Sequence, residues 1–207
     1  ILGGDLTQST GNARDLINSV LSSLNSIVAN SWNGYYNALY QVNNVISIVE
    51  DLPESDLRNL IIGEAHYFRA YIYHSLVTRW GGVPIQRVNT MDKPFRDSEE
   101  AVWAFIEEEL ETALAFLGTS SSCYYVSRDA ALALKARVML DRGKKTEAAA
   151  LAEGLIKDGK YKLDSFDKIF RGKTNTEVIF SFQCLAEESN ITISTLFYTY
   201  AHPNHGS

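Results

Sequence analysis

Residues 56–85, DLRNLIIGEAHYFRAYIYHSLVTRWGGVPI, restrict what this chain can fold into more than any other stretch. Leu57, Ile61, Ala65, Phe68, Ile72 and Leu76 recur at three- and four-residue steps, the spacing of one buried helical face. Tyr67, Tyr71 and Tyr73 add aromatic bulk beside that stripe, which predicts neighbours on more than one side. Arg79 falls where a cation suits the negative end of a helix dipole. Gly81-Gly82 then end the helix, and Pro84 prevents its resumption. Gly63 costs a helix interior about 1 kcal/mol relative to Ala, so another backbone is expected to approach it.

Other helices flank this one. Residues 1–11 are rich in Gly, Ser and Thr and read as a loop. From Asn12, Leu16, Val20, Leu24, Ile27 and Val28 make a helical stripe. Ser31 is the expected cap of a second helix carrying Trp32, Tyr35, Tyr36, Leu39, Val42, Val45, Ile46 and Val49, and Pro53 ends it. Ser55 or Asp56 caps the central helix. After an extended connector at 85–94, Asp97-Ser98-Glu99-Glu100 opens a helix that buries Val102, Phe105, Ile106, Leu110, Ala113, Leu114 and Leu117. The pair at 128–142 and 146–157, closed by Gly143 and Gly159 and with Thr146 as the second cap, resembles a tetratricopeptide hairpin. Small residues at Ala136 and Ala148 let its helices approach closely. Downstream, 160–163 reads as extended, 166–170 as a helical turn or more, and 177–182 alternates like a strand or buried extended segment. The fold class is therefore mainly all-α: a tetratricopeptide-like helical-repeat scaffold with short extended segments near the C-terminus. We read residues 1–207 as one domain, its most repeat-like part being the hairpin at 128–158.

The 45% hydrophobic and 21% charged fractions are those of an ordinary globular protein. A net charge of −6, with Lys and Arg scattered, argues against nucleic acid as a partner. The densest basic run, 142–145, reads as a solvated turn. Cys123 and Cys184 show no metal-ligand spacing and read as two thiols rather than a disulfide. His66 and His74 lie about two helical turns apart, too far to clasp one metal, and read as structural or solvent-facing. His202 and His205 lie in the tail. Glu107-Glu108-Glu109 splay by about 100° per residue and cannot form an acid–base pair, so they read as a hydrated helix face. No nucleophile elbow, phosphate loop or His-Glu-x-x-His is present. The expectation is a protein that is no enzyme, with no catalytic residues, cofactor or metal.

Aromatic side chains offer the stronger lead. Sugars present C–H faces that stack on Trp and Tyr rings, while their hydroxyls need short polar side chains nearby. Trp32, flanked by Asn30 and Asn33, has such company, and so does the loop holding Asp5 and Gln8. Asp5, Gln8 and Trp32 are thus the candidate ligand-binding residues, with helix packing as the competing reading of Trp32. Trp103 reads as half-buried. Tyr124 and Tyr125 sit in a linker, either exposed or folded back on the core.

Gly63-Glu64-Ala65, Phe68-Arg69-Ala70, Tyr73, Leu76-Val77 and Trp80-Gly81-Gly82-Val83-Pro84 together resemble the signature helix of the SusD/RagB family. Trp32, Tyr36 and Asn43-Asn44-Val45-Ile46 resemble its preceding helix. Phe105-Ile106 through Leu114, Val126 through Leu140, and Tyr161 through Ser181 resemble its later segments, in order. The resemblance implies an outer-membrane, cell-surface lipoprotein that binds an oligosaccharide, or a peptide, and delivers it to a SusC-like TonB-dependent transporter. It further implies that this chain is the N-terminal, tetratricopeptide-like part of a longer protein, with membrane attachment only through a lipid anchor outside the present sequence. It implies no catalysis, and it transfers no ligand-contact residue. The alternative is a tetratricopeptide-type protein-interaction scaffold without a small-molecule ligand. Glu64, Arg69 and Trp80 are expected to hold helices together rather than to touch ligand.

Overall fold

The computed structural model describes residues 25–120, 122–171 and 175–183, with Asp15, Asn18, Val20 and Ser22 before them. The loop at 1–11, most of the stripe from Asn12, and residues 184–207 lie outside the described residues.

Helix α1 spans Ser26–Glu50, α2 Asp56–Trp80, α3 Glu99–Phe116, α4 Arg128–Asp141, α5 Lys145–Lys157 and α6 Phe166–Arg171. Helix α2 is the middle layer, packed on α1 at one side and on α3 at the other; α4 follows on α3, and α5 on α4. This serial stacking of neighbours is the arrangement of a helical-repeat scaffold. Among the described residues there is no β-strand: 175–183 runs extended without a ladder, tied to the α3–α4 loop by Ser181 N donating to Cys123 O at 2.8 Å.

Caps explain most of the boundaries. The side chains of Ser55, Ser98 and Ser127 each accept a backbone N–H three residues on, at 3.1–3.2 Å. Two expected starts are displaced. Helix α1 begins at Ser26 because the Asn25 side chain accepts Ile27 N at 3.0 Å, so Ser31 lies inside the helix and Ile27 and Val28 belong to it. Helix α5 begins at Lys145 with no side-chain cap, because the tight turn at Gly143 (φ 77°) feeds the chain directly into it. Thr146 is therefore already helical.

Because α2 is enclosed by α1 and α3, it is buried on several faces rather than along one stripe. Tyr73, Leu76, Val83, Val102, Ile106 and Leu110 lie in the fully buried centre. Leu57, expected on the buried stripe, is 67% exposed in the first turn of α2. Trp103, expected half-buried, is only 7% exposed. Gly63 is required by close approach: a Cβ there would lie 2.8 Å from Leu117 Cγ and 3.2 Å from Leu117 N. At the exit of α2, Gly81 adopts φ 68°, a conformation that L side chains rarely take.

Candidate functional site

The buried centre of α2 holds a polar network. Glu109 of α3, 1% exposed, accepts from Arg69 Nε at 2.6 Å and from Nη2 at 2.8 Å, and His66 Nδ1 lies 2.8 Å from its Oε2. Arg69 Nη1 completes the set by donating to Asn43 Oδ1 of α1 at 3.1 Å and to the Arg87 carbonyl at 3.0 Å. These bonds, with Asn43 Nδ2 donating to the Gln86 carbonyl at 3.0 Å, lock α1, α2, α3 and the connector together. The expected hydrated Glu107–Glu109 face is thus corrected. Glu109 shares the buried α3 face with Phe105, Ile106 and Ala113, and Glu107 pairs with Arg142 and Lys144. Only Glu108, paired with Arg87, is solvated as expected. Arg142, expected in a solvated turn, is largely buried and also pairs with Glu100. His74 Nε2 faces Asp141 Oδ2 at 2.8 Å. Among the described residues no three His, Cys, Asp or Glu side chains converge on a metal-sized site.

Trp32 is half-buried at the N-terminal end of α1. Its ring meets Tyr36 at 4.9 Å and Trp80 edge-on at 5.4 Å, while Tyr35 meets Trp80 at 6.1 Å. Helix packing therefore engages part of the indole, and the rest of its surface stays accessible. Asp5 and Gln8 lie outside the described residues. Between α1 and α2, Tyr35, Val42, Phe68, Tyr71, Ile72 and Phe182 line an open groove of about 500 Å³. Its walls are almost wholly apolar and offer few partners for sugar hydroxyls.

A second cavity, of about 330 Å³, opens between the α3–α4 loop and the extended segments at 160–164 and 175–179. The loop is closed at its base by Arg128 N donating to Gly118 O at 2.8 Å and by Val126 N donating to Glu64 Oε1 at 3.3 Å. The opposite wall is held by Lys162 N on Thr176 O at 2.8 Å and Thr176 Oγ1 on Lys162 O at 3.0 Å. Tyr124, Tyr161, Ser120, Ser122 and Asn175 line the space, with the thiol-bearing Cys123 beside them. Cys123 is a half-buried free thiol; Cys184 lies outside the described residues.

Lys160, also on the lining, donates to Asp129 Oδ2 at 2.7 Å, and Tyr161 Oη donates to the same oxygen at 2.8 Å. Burial opposes ionisation of Asp129, but these hydrogen bonds outweigh it and hold the carboxyl below its ordinary range. The bond to Asp129 likewise raises Lys160. Both groups are charged at neutral pH, and each neutralises the other. Nothing in the sequence marked this cavity: its walls lie some 40 residues apart and follow no period.

A family model described as "SusD-like_3: Starch-binding associating with outer membrane" matches residues 5–140. The chain belongs to the SusD-like family. Among curated relatives, the SusD-like protein P38 of Formosa agariphila is 29% identical over 164 residues, 76% of this chain and 32% of that protein. Among solved structures, one described as a complex with xylogluco-oligosaccharide superposes with a TM-score of 0.79 at 24% identity, covering 88% of this SusD-like chain and 40% of its own. A laminarin-binding SusD-like protein superposes with a TM-score of 0.75 at 22% identity, covering 84% and 41%. The SusD-like chain thus shares its helical fold with these structures and spans less than half the length of each of these three proteins.

Proposed function

We propose that this SusD-like chain is part of a cell-surface, outer-membrane protein that captures oligosaccharides and hands them to a SusC-like TonB-dependent transporter. The observation that carries this reading is the match of residues 5–140 to a family described as starch-binding and outer-membrane-associated. The fold shared with proteins described as bearing xylogluco-oligosaccharide or laminarin supports it. Asp5, Gln8 and Trp32 are the proposed ligand contacts: a partly outward-facing indole supplies a stacking face, and the preceding loop supplies short polar groups. The protein holds its ligand without transforming it, and its attachment to the membrane is through a lipid rather than a helix. No helix among the described residues is long and apolar enough to cross a membrane.

Isothermal titration of the purified full-length protein against neutral and acidic plant, algal and host glycans, and against peptides, tests the reading. Binding to at least one glycan class, weakened by Trp32→Ala, is the expected result. Binding to peptides alone, or to nothing, overturns it. Co-purification from membranes separates the capture protein from a tetratricopeptide-type scaffold: a β-barrel transporter as companion supports the first, and soluble partners alone support the second.

A further inference from the structure

We propose that the cavity between the α3–α4 loop and the 160–179 segment is a saccharide subsite that takes one neutral pyranose residue. This rests on the oligosaccharide-capture reading and adds to it a second contact region, remote in sequence from Asp5, Gln8 and Trp32.

The volume of about 330 Å³ lies at the lower end of small-molecule sites, which suits a single sugar ring better than an extended chain. Two tyrosines provide faces for the C–H side of a pyranose: Tyr124, which is 41% exposed, and Tyr161, which is half-buried. Tyrosine suits this task because its ring is rigid and its hydroxyl polar. Short polar groups stand around these rings. Ser120 Oγ donates to Ser122 O at 2.9 Å and accepts Ser122 N at 3.2 Å, which fixes the loop and leaves acceptor capacity on the hydroxyl.

Asn175 adds the directional element. Its Oδ1 accepts from Val178 N at 2.7 Å and from Glu177 N at 3.1 Å, so the amide plane is held and the Nδ2 donors have no partner among the described residues. A half-buried amide whose two donors are unpaired among the described residues is one that a sugar hydroxyl or ring oxygen can satisfy.

Charge selects the class of sugar. The lysine on the lining already donates to Asp129, and its Nζ stands 5.2 Å from the Tyr161 ring centroid. A uronate or sulfate ester would have to compete with a carboxylate already in place, and would then lie close to it. An acidic residue is therefore disfavoured and a neutral hexose or pentose favoured.

The test uses the purified full-length protein and three probes: a xyloglucan heptasaccharide, laminarihexaose and an oligogalacturonate. Titration gives the affinity of each for wild type, Tyr124→Ala and Asn175→Ala. In parallel, alkylation of Cys123 by N-ethylmaleimide is followed by peptide mass spectrometry with and without saturating glycan. At least one neutral glycan is expected to slow Cys123 alkylation severalfold. Each substitution is expected to weaken that glycan's binding about tenfold; Tyr124→Ala leaves thermal unfolding unchanged, whereas Asn175→Ala, which also frees the N–H groups of Glu177 and Val178, lowers it modestly. If Cys123 proves inert without sugar, the affinities decide.

A neutral glycan that binds with full affinity to both variants and leaves Cys123 alkylation unchanged overturns the subsite while leaving oligosaccharide capture intact. Equal protection by oligogalacturonate overturns the neutral specificity. Failure of every glycan to bind overturns both the subsite and the function on which it rests.

Discussion

Truncation of Glu109 is the sharpest test of how this fold is held. Glu109→Ala removes the acceptor of two Arg69 hydrogen bonds, at 2.6 and 2.8 Å, and the group facing His66. Arg69 is 5% exposed and cannot turn to water. Its Nη1 keeps Asn43 Oδ1 and the Arg87 carbonyl, while Nε and most of Nη2 lose their partner. Breaking a buried pair from one side costs about 3–5 kcal/mol, because the remaining charge is left uncompensated. At roughly 2–4 °C per kcal/mol for a chain of this size, the midpoint of thermal unfolding should fall by about 6–20 °C. Far-UV circular dichroism under heating, with urea titration to verify a constant slope, measures both quantities. The double variant Arg69→Met/Glu109→Leu should recover part of the loss, since no buried charge remains. It should stay below wild type, because Asn43 Oδ1 and the Arg87 carbonyl each lose a donor. A Glu109→Ala protein within about 1 kcal/mol of wild type would refute the reasoning and show that water or a rearranged His66 replaces the carboxylate.

Three further outcomes are expected. Gly82→Ala should cost about 1–3 kcal/mol or more, seen as a lowered urea midpoint, because the new Cβ would fall 2.2 Å from Asp97 O, a backbone atom with no room to yield. Ser127→Ala should cost about 1 kcal/mol in the same assay, since its hydroxyl caps α4 by accepting Ala130 N at 3.2 Å. Alkaline pH should destabilise the fold: burial pushes the Tyr73 hydroxyl up to about 12, against about 10 in the unfolded chain. The unfolded state then releases this proton first, so stability is intact below pH 10 and declines from about 10 to 12. Tyr73→Phe should remove part of that decline, since burial also raises the Tyr36 and Tyr67 hydroxyls, as followed by equilibrium unfolding at stepped pH.

The sequence disclosed what depends on local chemistry. The exit of α2 was legible because Gly81, Gly82 and Pro84 act through their own backbone preferences, and the starts of α2 and α3 at Ser55 and Ser98 were legible for the same reason, whereas Ser31 was misplaced as a cap and Ser127 was not named as one. The α3 face was legible from its period. What escaped is where a neighbour overrides a local rule. Glu109 has the chemistry of a solvent residue, yet it lies four residues from Phe105 and from Ala113, both buried, and its partner is a lone arginine inside an apolar helix. Those two irregularities together were the available signal. Arg142 was misread for the same reason, since its partners Glu100 and Glu107 come from another helix. Trp32 could be read as aromatic and well placed, but not as the neighbour of Trp80, some 48 residues away. The cavity at Tyr124 and Tyr161 was invisible because two loops create it and neither carries a periodic mark.

The connector between α2 and α3 has no regular structure, yet it is anything but slack. The carbonyls of Trp80, Gly82, Pro84, Gln86 and Arg87 receive side chains of Arg96, Tyr36, Tyr73, Asn43 and Arg69, and Ile85 N is held by Asp97 at 2.8 Å. Side chains of α1 and α2 take up the carbonyls of Pro84, Gln86 and Arg87, and the connector's own Arg96 and Asp97 hold its first half. A segment built this way gives neither a hinge nor a natural place to divide the chain. Only its tip, where Met91 is 100% exposed, is open to a protease or an inserted sequence. A graft there would ride on the surface, whereas one placed five residues earlier would pull three helices apart.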